Sequence, residues 1–176
     1  RKDNLEAPEI IYNPDLKKYY LFTSYDPLMT TYNVRVSRSD AAEGPFTDYF
    51  GKAEKDTTNN FPILTAPYRF ENHPGWAGTA HCGVFTGGQG NYFMAHQGRL
   101  SPQNQLMVLH VRQLFFTPDG WPVVSPERYA GTPPREFTEA DLVGEWEIIR
   151  VQEPKYERQL SLIHISEPTR LRRISY

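Results

Sequence analysis

A carboxylate stands near the start of this chain in an apolar setting. Leu5-Glu6-Ala7-Pro8-Glu9-Ile10-Ile11-Tyr12 sets Glu6 just ahead of a run of strand-forming residues. Pro8 fixes its own φ and pushes Ala7 toward an extended conformation. A glutamate held at the inner end of a strand beside apolar neighbours suits a general acid, because partial burial penalises its charged form and raises its pKa. The competing reading is a surface carboxylate in a loop, where acidic residues ordinarily lie. His81 and Cys82 are adjacent in Gly78-Thr79-Ala80-His81-Cys82-Gly83-Val84-Phe85. Neighbours on a strand point to opposite faces, so they do not form a thiol–imidazole dyad. On composition alone, a lone histidine in an apolar strand is a satisfied core residue. His110 and Arg112 share a strand face and read as structural.

The elements that must hold these groups are short strands separated by turn chemistry. Glu9 to Tyr12 runs into the turn cluster Asn13-Pro14-Asp15, and Lys18 to Ser24 follows with aromatics on both faces. Tyr32 to Ser37 alternates apolar and polar, which predicts a half-buried strand with Asn33, Arg35 and Ser37 on its polar face. Glu43-Gly44-Pro45 marks a turn, Lys52 to Asn60 a polar loop, and Phe61 to Leu64 the start of another strand. Glu71 to Trp76 reads as an exposed loop leading into Gly78 to Phe85. A tight turn over Gly87 to Asn91 precedes strands over Tyr92 to His96 and Leu106 to Phe116. Pro118-Asp119-Gly120-Trp121 then turns the chain into a short closing strand, Pro122 to Ser125. Several strands followed by a turn thus occur twice, the pattern of two blades of a β-propeller. Thr138 to Val143, opened by a Thr138 cap, is at most one turn of helix.

The chain has 176 residues, enough for one domain with a real core, and a formal net charge of −2 that offers nucleic acid no basic stripe. Aromatics make up 14% of the residues, which fits an all-β protein whether they fill strands or face a ligand. Cys82 is the sole cysteine, so neither an intramolecular disulfide nor a multi-cysteine zinc site can form. No apolar run is long enough to cross a membrane. The chain begins at Arg1 without an initiator Met or a visible signal peptide, and the expectation is that the start of the protein lies upstream.

Three segments are expected: 1–131 as the C-terminal part of a propeller, 132–159 as a linker and the opening of a C-terminal β-domain, and 160–176 as a foreign tail. Gly131-Thr132-Pro133-Pro134 supplies the linker and Leu142 to Ile149 the first strand beyond it. Leu160 to Tyr176 resembles an in-frame translation of a transposase-type sequencing adapter, so His164 and Arg170 receive no role.

With these motifs laid out, residues 4–154 resemble the C-terminal half of a family 43 glycoside hydrolase, of the endo-α-1,5-L-arabinanase group that carries an extra C-terminal β-domain. The resemblance rests on Glu6-Ala7-Pro8 ahead of an aromatic strand, and on Tyr32 to Ser39 with Gly44-Pro45-Phe46 after it. Leu109 to Gln113, Gly120 to Tyr129 and Leu142 to Ile149 add to it. It implies an all-β fold: the last blades of a five-bladed β-propeller plus the start of a C-terminal β-sandwich or barrel. It implies an inverting hydrolysis of α-1,5-arabinofuranosyl linkages, with Glu6 as the acid and with a base and a tuning aspartate on blades ahead of Arg1. His81 resembles a channel histidine that supports calcium largely through bound water, although Ala80-His81-Cys82-Gly83 departs from the usual Gly-His-Asn-Ser-type run. Arg99, with His96, falls where the family has a histidine-rich strand end followed by arginine, and its planar fork suits sugar hydroxyls or a carboxylate. Arg35 is a further candidate substrate contact, and Trp76 and Tyr25 are candidate stacking surfaces. The partners implied are arabinan or its oligosaccharides, with no nucleic acid and no membrane, in a secreted or periplasmic protein that is monomeric when complete. An exo-acting arabinofuranosidase or β-xylosidase of the same family, and a non-catalytic carbohydrate-binding propeller, are the competing readings. Two blades alone leave open edges and an uncovered face, so the isolated chain is expected to aggregate and to be inactive.

Overall fold

In the computed structural model, residues 5–56, 60–103, 105–132, 135–152 and 161–165 are described, the last stretch by its backbone alone. Strands β1 (Leu5–Asn13), β2 (Lys18–Tyr25), β3 (Asn33–Ser39) and β4 (Ile63–Thr65) form one antiparallel sheet in the order of the sequence. In the second sheet β5 (Trp76–Ala77) and β6 (Gly83–Thr86) both pair with one side of β7 (Tyr92–Leu100). β8 (Met107–Phe116) and β9 (Pro122–Val124) then complete it. A two-stranded sheet of β10 (Gly144–Ile148) and β11 (Ser161–Ile165) lies beyond. The only helices among the described residues are short 3-10 turns at Glu54–Asp56 and Glu139–Leu142. The chain is therefore all-β, as its composition and turn spacing predict.

Local chemistry explains the boundaries. Asn13 Oδ1 accepts the backbone N–H groups of Asp15 and Leu16 (3.0 and 3.1 Å), closing the β1–β2 turn with its own side chain. The β8–β9 turn closes on Gly120, whose φ of 79° suits a residue without a Cβ. Thr138 opens its 3-10 turn by giving both its N–H and its hydroxyl to Asp141 Oδ2, each at 2.8 Å.

The first two sheets lie face to face. Tyr20, Phe22, Val34, Val36 and Leu64 from the first meet Ala80, Cys82, Val84, Met94 and Leu114 from the second, and Trp121 completes one core. Edge strand β1 lies against β6, and the opposite edge strand β4 against β9. Arg38 ties the sheets together. Its guanidinium donates to the Asp119 and Gly120 carbonyls (2.8 and 3.2 Å) and lies over Trp121, while the Tyr20 hydroxyl donates to the Gly120 carbonyl at 2.6 Å.

Several expectations need correction. β3 is buried on both faces rather than half-buried, because the segment that returns through Asn60 and Phe61 covers its polar side. Glu71 to Trp76 does not end in an exposed loop; Trp76 enters β5 and is buried. Residues 78–82 are not strand, since β6 begins at Gly83. The Pro133-Pro134 pair and residues 166–176 lie outside the described residues. Part of the tail read as foreign, Ser161–Ile165, pairs with β10.

Candidate active site

Two irregularities, one in β1 and one between β5 and β6, define the candidate site. In β1, Glu6 pairs with Ser24 and Glu9 with Phe22, so three steps along β1 oppose two along β2. This is a bulge of one extra residue, and Ala7 within it takes φ = 50°. The expectation of an extended Ala7 therefore fails. The extra residue has to be absorbed by a local reversal, and the ladder on both sides outweighs the preference imposed by Pro8. The second irregularity lies between β5 and β6. Gly78 (φ 60°) and His81 (φ 60°) break the strand, while the Gln97 N–H still reaches the Ala80 carbonyl at 3.0 Å. A Cβ on Gly78 would stand 2.5 Å from the Leu28 carbonyl oxygen, so the break requires glycine there.

The bulge leaves Glu6 opposite Ser24, on the same side of β1 as Glu9. The Glu6 side chain is exposed, contrary to the half-burial expected from its apolar neighbours, because β1 is an edge strand with no further strand beside it in its sheet. One oxygen is nonetheless held: the Tyr32 hydroxyl donates to Glu6 Oε1 at 2.6 Å. Tyr32 is fully buried, and burial followed by the bond to Glu6 pushes its phenol far above the ordinary range. Ser24 stands opposite Glu6 in the β1–β2 register, bonds to Tyr32 through its side chain, and accepts the His81 N–H at 2.9 Å. Cys82 lies inside this junction, where burial pushes its thiol up to about 12 and leaves it an inert core residue.

Glu6 and His81, widely separated in sequence, are thus linked through Tyr32 and Ser24. His81 itself is exposed and lines a shallow depression with Gly83, Ala95, Gln97 and Leu109. Among the described residues no three His, Cys, Asp or Glu side chains converge where they could hold a metal ion. One imidazole is too few ligands for calcium, which takes six to eight oxygens, so these residues do not by themselves fit the ion.

The other predicted contacts lie elsewhere. Arg35 is fully buried: its Nε donates to Asn33 Oδ1 at 2.9 Å, its Nη2 stands 3.6 Å from Asp26 Oδ2, and its guanidinium covers the buried Tyr25 ring. Neither Arg35 nor Tyr25 can meet a ligand at this surface. Trp76 is packed edge-on against His110 (4.5 Å) beneath Arg128, so it is no open stacking platform. Arg99 is buried, with its stem against Gly78 and its Nη1 donating to the Gln105 carbonyl at 3.3 Å. It supports the break before His81 rather than facing solvent. His96 and His110 face each other across β7 and β8 with tilted rings 5.1 Å apart, and burial lowers both imidazoles, His110 to about 4. Ser24 and Tyr32 were absent from the sequence-based site. Tyr32 heads the strand motif quoted above, but only the bulge and the sheet register bring it to Glu6.

No protein-family profile matches the chain. It is 30% identical over 166 residues, 83% of its length, to the extracellular endo-α-(1→5)-L-arabinanase 2 of Bacillus subtilis (strain 168), of which it covers 35%. The fold matches the family 43 glycoside hydrolase YxiA of Bacillus licheniformis with a TM-score of 0.84 and 27% identity, over 92% of this chain and 41% of that one. It matches the endo-1,5-α-L-arabinanase of Thermotoga petrophila RKU-1 with a TM-score of 0.84 and 28% identity, over 92% of this chain and 40% of that one. An exo-1,5-α-L-arabinanase from a bovine ruminal metagenomic library is more distant in fold, with a TM-score of 0.57 and 30% identity over 69% of this chain and 38% of that one. On these similarities the chain, two stacked antiparallel sheets with a glutamate-bearing bulge on an edge strand, belongs to the glycoside hydrolases of family 43. Within that family the chain is endo-arabinanase-like, and it spans about a third of the length of the curated relatives it matches.

Proposed function

We propose that this chain is the acid-bearing portion of a secreted, inverting glycosidase that cleaves α-1,5-linked arabinofuranosyl bonds in arabinan, and that Glu6 is the general acid. The observation that carries the reading is the Glu6 carboxylate itself. It is exposed at a bulge on an edge strand while one oxygen is pinned by a buried phenol. A binding surface has no need of a carboxyl held this way. A group that must deliver a proton at one point in space does. The similarity to endo-arabinanases supports the substrate class, and the extracellular relatives support secretion.

In an inverting reaction one carboxyl protonates the departing oxygen while a carboxylate on the far side activates water, the two standing roughly 6.5–9.5 Å apart. Glu6 fills the first role. It lies on edge strand β1, and the base and the tuning carboxylate would come from further blades of a five-bladed propeller. A cation near His81 would take most of its ligands from water, and no step of the reaction as read here passes through it. Endo action is preferred over exo action because the curated relatives it matches are named endo-arabinanases.

The test is Glu6→Gln in the complete polypeptide that carries this sequence. The variant keeps the shape of the side chain and loses the transferable proton. Its kcat on linear arabinan falls by roughly 10²- to 10⁴-fold with little change in KM. Unchanged turnover would refute the assignment. Product analysis on debranched arabinan separates the modes of attack: endo action releases mixed oligosaccharides early, and exo action releases a single small product from the outset.

A further inference from the structure

Glu6 has two carboxyl oxygens, and the structure treats them differently. Oε1 accepts a 2.6 Å hydrogen bond from Tyr32, a length typical of a hydroxyl donating to a carboxylate. The Tyr32 ring is locked in the core between the sheets, so the position of its hydroxyl is set by packing rather than by solvent. We propose that Tyr32 is a positioning residue: by occupying Oε1 it assigns the transferable proton to Oε2 and holds that oxygen toward the departing sugar. The inference rests on the reading of Glu6 as the general acid.

The chemistry follows from the inventory of donors. A phenol held protonated serves Oε1 as a donor. Protonating Oε1 would weaken the bond it accepts, so the proton resides on Oε2. As the glycosidic C–O bond breaks, its electron pair stays on the leaving oxygen. That oxygen takes the Oε2 proton while water adds at the anomeric carbon and passes its own proton to the base. Tyr32 keeps its proton throughout and only fixes the angle from which Oε2 delivers. Ser24 completes the device. It stands across the ladder from Glu6, bonds to Tyr32, and accepts the N–H of the left-handed His81 at 2.9 Å. The aim of the acid is therefore coupled to the contact between the two sheets. Cys82, Glu9 and His81 are the other titratable groups around this junction, and Cys82 is buried within it.

The experiment compares Tyr32→Phe, Ser24→Ala and Glu6→Gln in the complete polypeptide on two substrates. One is an arabino-oligosaccharide, whose leaving alcohol needs a proton. The other is an aryl arabino-oligosaccharide with an acidic dinitrophenol leaving group, which needs none. For Tyr32→Phe the expected result is a kcat on the oligosaccharide lowered roughly 10- to 100-fold at unchanged KM, with most of that loss absent on the aryl substrate. Ser24→Ala shows the same pattern with a smaller loss, and it carries the test should Tyr32→Phe fail to give a folded protein by thermal melting. Equal losses on both substrates, or no loss on either, while Glu6→Gln is inactive on the oligosaccharide, overturn the positioning role and leave the acid in place. Full activity of Glu6→Gln on the oligosaccharide overturns the reading beneath it.

Discussion

Ala7 bears the cost of aiming Glu6. An L-residue in the left-handed region sets its Cβ against the following carbonyl, at about 1–2 kcal/mol. Glycine removes that clash at the expense of a more flexible unfolded chain. Ala7→Gly is therefore expected to be neutral or to stabilise by up to about 1 kcal/mol, read as the midpoint of denaturant unfolding, with turnover retained. A clear destabilisation would show that the bulge does not hold this residue left-handed. The presence of a carboxylate ahead of an aromatic strand was legible in the sequence. Its aim was not, because a bulge is a property of two paired strands and leaves no mark on either alone.

At the scale of elements, two separate edge segments use the same device. β1 and the segment from β5 to β6 each break their ladder where a candidate functional residue lies, and each break places a residue at positive φ. The long β2–β3 and β7–β8 ladders are regular, which holds the breaks in place. Gly98 shows how closely the second ladder packs. A Cβ there would stand 2.5 Å from His110 Nε2, and the imidazole is wedged between Trp76 and His96. Gly98→Ala should destabilise the protein by about 1–3 kcal/mol, visible as a lowered thermal midpoint. The alternation of β3 correctly marked a strand, yet misplaced Arg35 on a wet face. Alternation separates two faces and does not say whether a later segment will cover the polar one.

For the whole molecule, the paired histidines link fold to pH. Burial, with the Arg112 guanidinium beside them, holds both imidazoles neutral, His110 down to about 4 against an ordinary 6.5. An unfolded chain takes up these protons first. The stabilisation is therefore complete above about pH 6.5 and is lost progressively as pH falls toward 4, by up to about 3 kcal/mol for His110. Thermal midpoints of the complete polypeptide between pH 7 and 4 should fall, and His110→Leu should flatten the slope. An equally steep slope in that variant would assign the effect to other groups. The outward faces of the two sheets also carry exposed Ile10, Tyr12, Met107, Leu109 and Phe115. These give a physical basis to the expectation that the chain alone aggregates.

The sequence by itself determined the class of fold, most of the strand packets and the presence of a glutamate ahead of the first strand. Period, turn residues and composition act within a few positions of one another and can be read in order. Only the tertiary structure decided what Glu6 touches and which aromatic and cationic groups stay out of reach. Trp76, Tyr25, Arg35 and Arg99 disappeared into packing, while Tyr32 and Ser24 emerged as the partners of Glu6 and His81. The reason is that burial and hydrogen-bond geometry arise where strands distant in sequence meet. A side chain's role there depends on what covers it, and no local pattern records that.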